Sequence, residues 1–238
     1  MLYKSDPILK RLMKLGVLFS GGKDSTLALH KAADKEQVTC LITLRSKNPE
    51  SYMFHTPNIG LTEMQAQALG LPLVIQVTEG KKEDELADLE AAIDQAMRQF
   101  DIEGVVTGAV ESVYQAERVQ RICNRLDLWC FNPLWKKNQQ ALLEELLEKH
   151  FQIIIGGVFA YPLDESWLGK QIDHAIIAKL VELQRKYGIS PSGEGGEIET
   201  TVLDAPLFKQ RIEVVGYEVA ARGNSGVFKV KQARLVPK

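Results

Sequence analysis

The sequence predicts an α/β protein: a doubly wound, five-stranded parallel sheet followed by a smaller C-terminal α+β region. Three observations predict it. Short apolar runs alternate with longer amphipathic segments, the signature of βαβ units. A glycine-rich turn joins the first such run to the first helix. Beyond Tyr187 the pattern changes to three strand-like runs with no helix between them.

Taken in order, Lys14–Phe19 (KLGVLF) is a short apolar run ended by glycines, as a buried strand would be. Asp24–Ala33 is a helix, with Ser20–Lys23 as the turn before it. Val38–Leu44 is rich in β-branched residues and predicts a second strand. Leu61–Leu69 is a helix closed by Gly70 and Pro72, and Leu73–Val77 a third strand. Glu83–Phe100 carries Leu86, Leu89, Ile93, Met97 and Phe100 on one stripe, which predicts an amphipathic helix. Gly104–Gly108 and Leu128–Phe131 are strands four and five, separated by the helix Val113–Leu126. Ala116, Val119, Ile122, Cys123 and Leu126 form the core stripe of that helix.

Helix Gln139–Lys149 and strand Phe151–Val158 continue the alternation, and Ile172–Tyr187 is a last helix. Glu197–Leu203, Arg211–Ala220 and Val227–Leu235 are then strands. The boundary is expected near Asn132–Pro133, giving residues 1–132 as a nucleotide domain and 133–238 as a substrate domain completing a cleft.

Composition narrows the function classes. Of 238 residues, 29 are Lys or Arg and 31 Asp or Glu, a net charge of −2. A protein gripping long nucleic acid carries a basic excess, so nucleic acid is not an expected partner. Cys40, Cys123 and Cys130 form no CxxC pair. That argues against a disulfide framework or cysteine zinc site and for a reducing cytosol. Cys40 and Cys123 fall on apolar positions and are expected in the core. No apolar run approaches the ~18 residues of a membrane span, and Met1–Lys14 lacks the apolar region of a signal peptide.

The chemistry is expected at Ser20-Gly21-Gly22-Lys23-Asp24-Ser25. Between a buried strand and a helix, free N–H groups and the positive helix end converge on one anion. Gly21 and Gly22 allow close backbone approach. Ser20 and Ser25 add hydroxyls, and Lys23 adds a mobile point charge. Asp24 makes sense there as a helix cap or as a ligand to a metal bound to phosphates. The Walker pattern fails: Gly16 and Gly21 are correctly spaced, but Gly22 follows, and Lys23 is followed by Asp24. No GxGxxG occurs.

SGGKDS resembles the pyrophosphate loop of the N-type ATP pyrophosphatases, which cut ATP to AMP and pyrophosphate. Four further stretches narrow the resemblance. They are 51–58 (SYMFHTPN), Ser112–Gln115 leading to Arg118 and Arg121, 163–169 (LDESWLG), and 193–200 (GEGGEIET) ahead of 203–208 (LDAPLF). Together they are similar to the diphthine–ammonia ligase family, from about Leu15 to Phe208; where that family has an aromatic residue this sequence has Ile198. The resemblance implies adenylation of the diphthine carboxylate on elongation factor two by ATP with Mg2+. Ammonia then attacks the acyl adenylate to give diphthamide. Met1-Leu2 offers no N-terminal cysteine nucleophile, so free ammonium is the expected nitrogen source. A homodimer is also allowed.

Candidate catalytic residues are Ser20, Lys23, Asp24 and Ser25. Backbone near Leu44 and Gly108 is expected at the nucleotide. The substrate side is expected to use His55, Glu111, Tyr114, Gln115, Arg118, Arg121, Asp164, Trp167, Glu194, Glu197 and Glu199. Carboxylates suit a cationic substrate, and Trp167 could present a cation–π face. The plain alternatives are a solvated basic face on the fourth helix, a solvated acidic turn, and a core Trp167; His55 is as well suited to a structural role. Two other functions stay open: an adenylating enzyme acting on tRNA or a small molecule, and an ATP-binding sensor without turnover.

Overall fold

The computed structural model describes residues 11–48, 57–80 and 84–238. His55 lies outside them.

The first sheet is β1 (Lys14–Leu18), β2 (Gln37–Ser46), β3 (Leu73–Thr78), β4 (Gly104–Val106) and β5 (Trp129–Phe131). All neighbours are parallel, in the order β3-β2-β1-β4-β5. The order reverses at β1, so the first strand sits centrally and its carboxyl end opens onto the switch point where such sheets bind ligands. Helices α1 (Lys23–Ala33), α2 (Thr62–Leu69), α3 (Asp84–Phe100) and α4 (Val113–Arg125) follow the first four strands.

One face of the sheet is covered by α3 and α4: Leu89, Ala92, Ile93 and Ala96 pack with Val119, Ile122 and Cys123 over Cys40 and Ile42. The α3 stripe is centred on those alanines, and Met97 and Phe100 lie at its margin, only partly buried. Small side chains let the helix approach the sheet more closely than bulky ones would.

The other face carries α1 and the whole C-terminal region. There α5 (Gln139–Glu148) and α6 (His174–Tyr187) pack beside a second sheet. That sheet contains β6 (Gln152–Val158), β7 (Ile198–Asp204), β8 (Arg211–Arg222) and β9 (Ser225–Val236), ordered β7-β6-β9-β8 and antiparallel. The sequence makes β6 look like a continuation of the βα alternation; it opens this separate sheet instead. Both of its faces are buried, so its apolar run is indistinguishable from that of a parallel strand. Leu27 and Leu29 of α1, Leu142 and Leu146 of α5, Ile153 of β6 and Val202 of β7 share one core.

Helix starts are capped where the sequence provides short polar side chains. Ser112 accepts from Gln115 N, Asn138 from Ala141 N and Asp173 from Ile176 N. Gly70 and Gly188, both left-handed, end α2 and α6. Among the described residues no helix is long and apolar enough to cross a membrane.

His30 ties α1 to the segment after β7. Its ring is buried 4.8 Å from Phe151, Nδ1 is 2.8 Å from the Thr26 carbonyl, and Nε2 accepts the Leu207 N–H at 3.1 Å. Nδ1–H therefore donates to Thr26, and the ring is neutral. Burial pulls its pKa below the usual 6.5, with Lys149 and Lys238 acting the same way against Thr26 and Asp34. A depressed folded pKa means stability present above 6.5 and lost as pH falls through the folded value. His30→Gln should therefore trail the parent at pH ~7.5 by more than at pH ~5 in urea unfolding. A gap that stays constant across that range would show that His30 is not a neutral anchor.

Candidate active site

The turn after β1 enters α1 through Gly22, the N-cap residue, with no side-chain cap. Hydroxyls tighten the turn. Ser25 Oγ donates to Gly22 O at 3.2 Å and accepts from Ser20 N, Ser20 Oγ lies 3.2 Å from Ser25 Oγ, and Thr26 Oγ1 donates to Gly22 O. Gly21 has φ +76° and is packed so closely on Gln65 that a side chain at Gly21 would overlap the Gln65 amide. Gly108, after β4, faces the first turn of α1, where a Cβ would lie 2.8 Å from Ser25 N. Its lack of a side chain lets two elements of the site meet.

The second sheet clamps the turn. Gly21 O accepts from Val202 N of β7 (3.0 Å) and from Gln65 Nε2 of α2 (2.9 Å), and the same Nε2 donates to Val202 O. Lys23 N donates to Thr200 Oγ1 at 3.1 Å. Strand β7 thus brings the acidic turn before it against the Ser20–Ser25 turn. Gln65, Thr200 and Val202 were not expected from the sequence: a glutamine in a helix and a threonine in a strand carry no local signal of a partner over 100 residues away.

A cavity of about 440 Å3 opens between these parts. Ser20, Gly22, Lys23, Asp24 and Ser25 form one wall, and Gly193, Glu194, Glu199 and Thr200 face them. Apolar Leu18, Ile42 and Leu44 line the sheet side, and Gly108 and Gln115 the side toward α4. Among the described residues lining it, Lys23 is the one cation, against Asp24, Glu194 and Glu199.

Lys23 is buried rather than mobile. Its Nζ donates to Asp24 Oδ2 at 2.7 Å, because a charge 3% exposed needs a counter-charge. Burial pulls the ammonium down, yet Asp24, Glu194 and Glu199 together hold it above its ordinary value. Asp24 does not cap α1, as Gly22 holds that position. Among the described residues its Oδ1 has no hydrogen-bond partner and is buried. Glu194 and Glu199 are each pushed up to about 7, first by burial and then by Asp24, with Lys23 opposing.

Several expected residues lie elsewhere. Glu197 lines no part of the cavity; its Oε1 accepts from Ser190 N and braces the turn from outside. Asp164 is exposed and accepts from Ser166 N, closing a short helical turn. Trp167 is half-buried against the large core, with Lys170 Nζ 5.8 Å from its ring. Neither lines the cavity, so the expected cation–π face for substrate is not at the site. Arg121 is exposed and paired with Glu117 at 3.6 Å, a solvated position. Arg118 stacks on the Tyr114 ring at 3.3 Å beside the cavity, not in its wall. Glu111 lies at the rim, its N–H donating to Glu194 Oε2. Among the described residues no group of three or more His, Cys, Asp or Glu could hold a metal.

The donor set fits a triphosphate only in company. One buried cation and a helix N-terminus suit an anion, but three carboxylates would repel it. A hard divalent cation would reconcile the two, since magnesium binds through one or two carboxylates plus phosphate oxygens and the buried Asp24 Oδ1 has no hydrogen-bond partner among the described residues.

Comparison with known proteins covers most of the chain. Family models described as diphthamide synthase N-terminal domain and C-terminal domain match residues 13–129 and 138–236. A bovine diphthine–ammonia ligase is 35% identical over 94% of this chain and 91% of its own, and the human one 36% identical over 87% and 85%. A solved structure from Methanocaldococcus jannaschii, described as a predicted subunit of tRNA methyltransferase, superposes with TM-score 0.43. It is 19% identical and covers 82% of this chain and 98% of that one.

The raised carboxyls give a signed prediction for the free protein. A folded pKa lifted from 4.5 to about 7 means the folded state binds the proton more tightly. Stability from Glu199 is full below 4.5 and lost as pH rises through about 7. Glu199→Gln should therefore gain thermal stability relative to the parent between pH ~5 and ~8. Unfolding curves whose separation does not grow with pH would contradict this placement of the carboxyl.

Proposed function

The chain belongs to the diphthamide synthase family, and from that premise we propose that it is a diphthine–ammonia ligase. It uses ATP to adenylate the diphthine carboxylate on elongation factor two, releasing pyrophosphate, and ammonia then displaces AMP to leave diphthamide. One observation carries the reading: the phosphate loop and two carboxylates, Glu194 and Glu199, line the same cavity. A ligase that activates a carboxyl carbon with an anionic nucleotide and then joins it to nitrogen arriving as ammonium needs both polarities within reach of that carbon.

The roles follow from the chemistry of each group. Backbone N–H groups at the start of α1, with Lys23, bind the β and γ phosphates as the leaving group. Asp24, whose Oδ1 has no hydrogen-bond partner among the described residues, would hold a magnesium ion accompanying them, which would offset the phosphate charge. The apolar wall at Leu18, Ile42 and Leu44 suits the adenine ring. Glu194 and Glu199 attract ammonium, or the cationic diphthine side chain, and poised near neutrality they can take a proton as the nitrogen attacks. Residues 1–132 would carry the nucleotide and 133–238 the acceptor side. Gln115 lines the wall between them.

Nitrogen is expected to enter as free ammonia. None of the three cysteines lines the cavity, so none is positioned there to hydrolyse glutamine.

With ATP, magnesium, ammonium and diphthine-bearing elongation factor two, the products should be AMP, pyrophosphate and an acceptor about one mass unit lighter, from hydroxyl exchanged for amine. Stoichiometric ADP and phosphate would refute the assignment. Asp24→Asn and Ser20→Ala should each lower turnover by roughly 10²-fold or more, with the fold intact. Near-normal turnover in both would mean the loop is not at the chemistry. Glu199→Gln should leave ATP affinity within a few-fold by calorimetry and weaken amidation most at low ammonium. Parallel loss of both would assign Glu199 to the nucleotide instead.

A further inference from the structure

Glu194 sits on a turn with two glycines beyond it, Gly195 and Gly196, and such a segment has little rigidity of its own. Its carboxylate is nonetheless directed into the cavity. The cause is a closed circuit of hydrogen bonds centred on Gln139, the first residue of α5.

Gln139 Oε1 accepts from Ser190 Oγ at 2.6 Å, from Ser192 Oγ at 3.0 Å and from Ser192 N at 3.3 Å. Ser190 Oγ in turn accepts from Glu194 N at 2.9 Å. On the other side Gln139 Nε2 donates to Glu111 Oε2 at 3.1 Å, and Glu111 N donates to Glu194 Oε2 at 3.3 Å. Starting from the Gln139 amide, one path reaches the backbone of Glu194 and the other reaches its carboxylate. The circuit also bridges the two halves of the cavity mouth: Glu111 follows β4 of the first sheet, and Ser190–Glu194 precede β7 of the second.

Only a primary amide closes this circuit. A carboxylate would accept from the serines but could not donate to Glu111, and would set like charges together; a lysine would do the reverse. Ser192 is 2% exposed, so its hydroxyl needs an internal partner. Asn138, capping α5 through Ala141 N, fixes the start of the helix that carries the amide.

We propose that Gln139 is a positioning residue of the ligase: its side-chain amide holds Glu194 in the cavity from both ends. The proposal rests on the role given above to Glu194, and it extends the site to a helix with no side chain lining the cavity.

A double-mutant cycle tests it on the full chain with diphthine-bearing elongation factor two. The parent, Gln139→Met, Glu194→Gln and the double variant are compared. Gln139→Met should raise the KM for ammonium by about tenfold with ATP affinity unchanged, the size of coupling expected inside one hydrogen-bond network. In the Glu194→Gln background the same change should have no further effect. Gln139→Glu, which keeps the acceptor, loses the donor and sets a like charge beside Glu111, should raise the KM for ammonium at least as much as Gln139→Met and guards against misfolding of the apolar variant. Equal effects in both backgrounds would overturn the proposal, as would a KM within twofold of the parent. If Glu194→Gln itself leaves ammonium and acceptor dependence untouched, the role of Glu194 is wrong. Gln139 is then judged by amide exchange in the free protein. Protection of the Glu194 N–H lost in Gln139→Met upholds the positioning, and protection retained overturns it.

Discussion

The carbonyl of Gly21 is the point on which the site depends. It accepts from a backbone N–H of β7 and from the buried Gln65 amide, so the Ser20–Ser25 turn is held by the second sheet and by α2 at once. A buried carbonyl left without these donors would cost on the order of 1–3 kcal/mol. The pairing therefore resists drift and sets the register between the two sheets where they meet. From that register follow the contact of Thr200 with Lys23 N, the direction of β7 across the loop, and the arrival of Glu199 and Glu194 opposite Asp24.

Electrostatics then shapes what the cavity can accept. A buried lysine without a partner would shed its proton; here Asp24 at 2.7 Å keeps it charged. The excess of carboxylate is costly in the cavity at neutral pH, and Glu194 and Glu199 respond by holding protons up to about 7. That crowding of acids favours a ligand that carries positive charge.

The shared core explains how both sheets can supply one site. Leu27 and Leu29 of α1 pack with Leu142 and Leu146 of α5 and with Ile153 and Val202 of the second sheet, so the helix that follows the Ser20–Ser25 turn is also the floor of the C-terminal region. His30, at the far end of α1, adds a hydrogen bond to the Leu207 N–H. Movement of one sheet against the other would have to disturb the base of that helix.

By itself the sequence determined the nine strands and six helices of the described residues, and the glycine-rich turn between β1 and α1. Each rests on local physics: two-residue alternation, helical stripes, short polar caps, and glycines between a buried strand and a helix. It also brought Glu194 and Glu199 into view, because carboxylates in a glycine-rich turn are conspicuous. Tertiary structure alone decided the rest. It placed β6 in a second, antiparallel sheet, since a strand buried on both faces reads the same in either direction. It turned Lys23 inward, because the fold supplies Asp24 as its counter-charge and leaves it no water. It set Trp167, Asp164 and Arg121 away from the cavity although their chemistry suited it, and drew in Gln65 and Gln139, whose chemistry is unremarkable. An amide's partners are chosen by which segments the fold brings within about 3 Å, and no spacing along the chain encodes that distance.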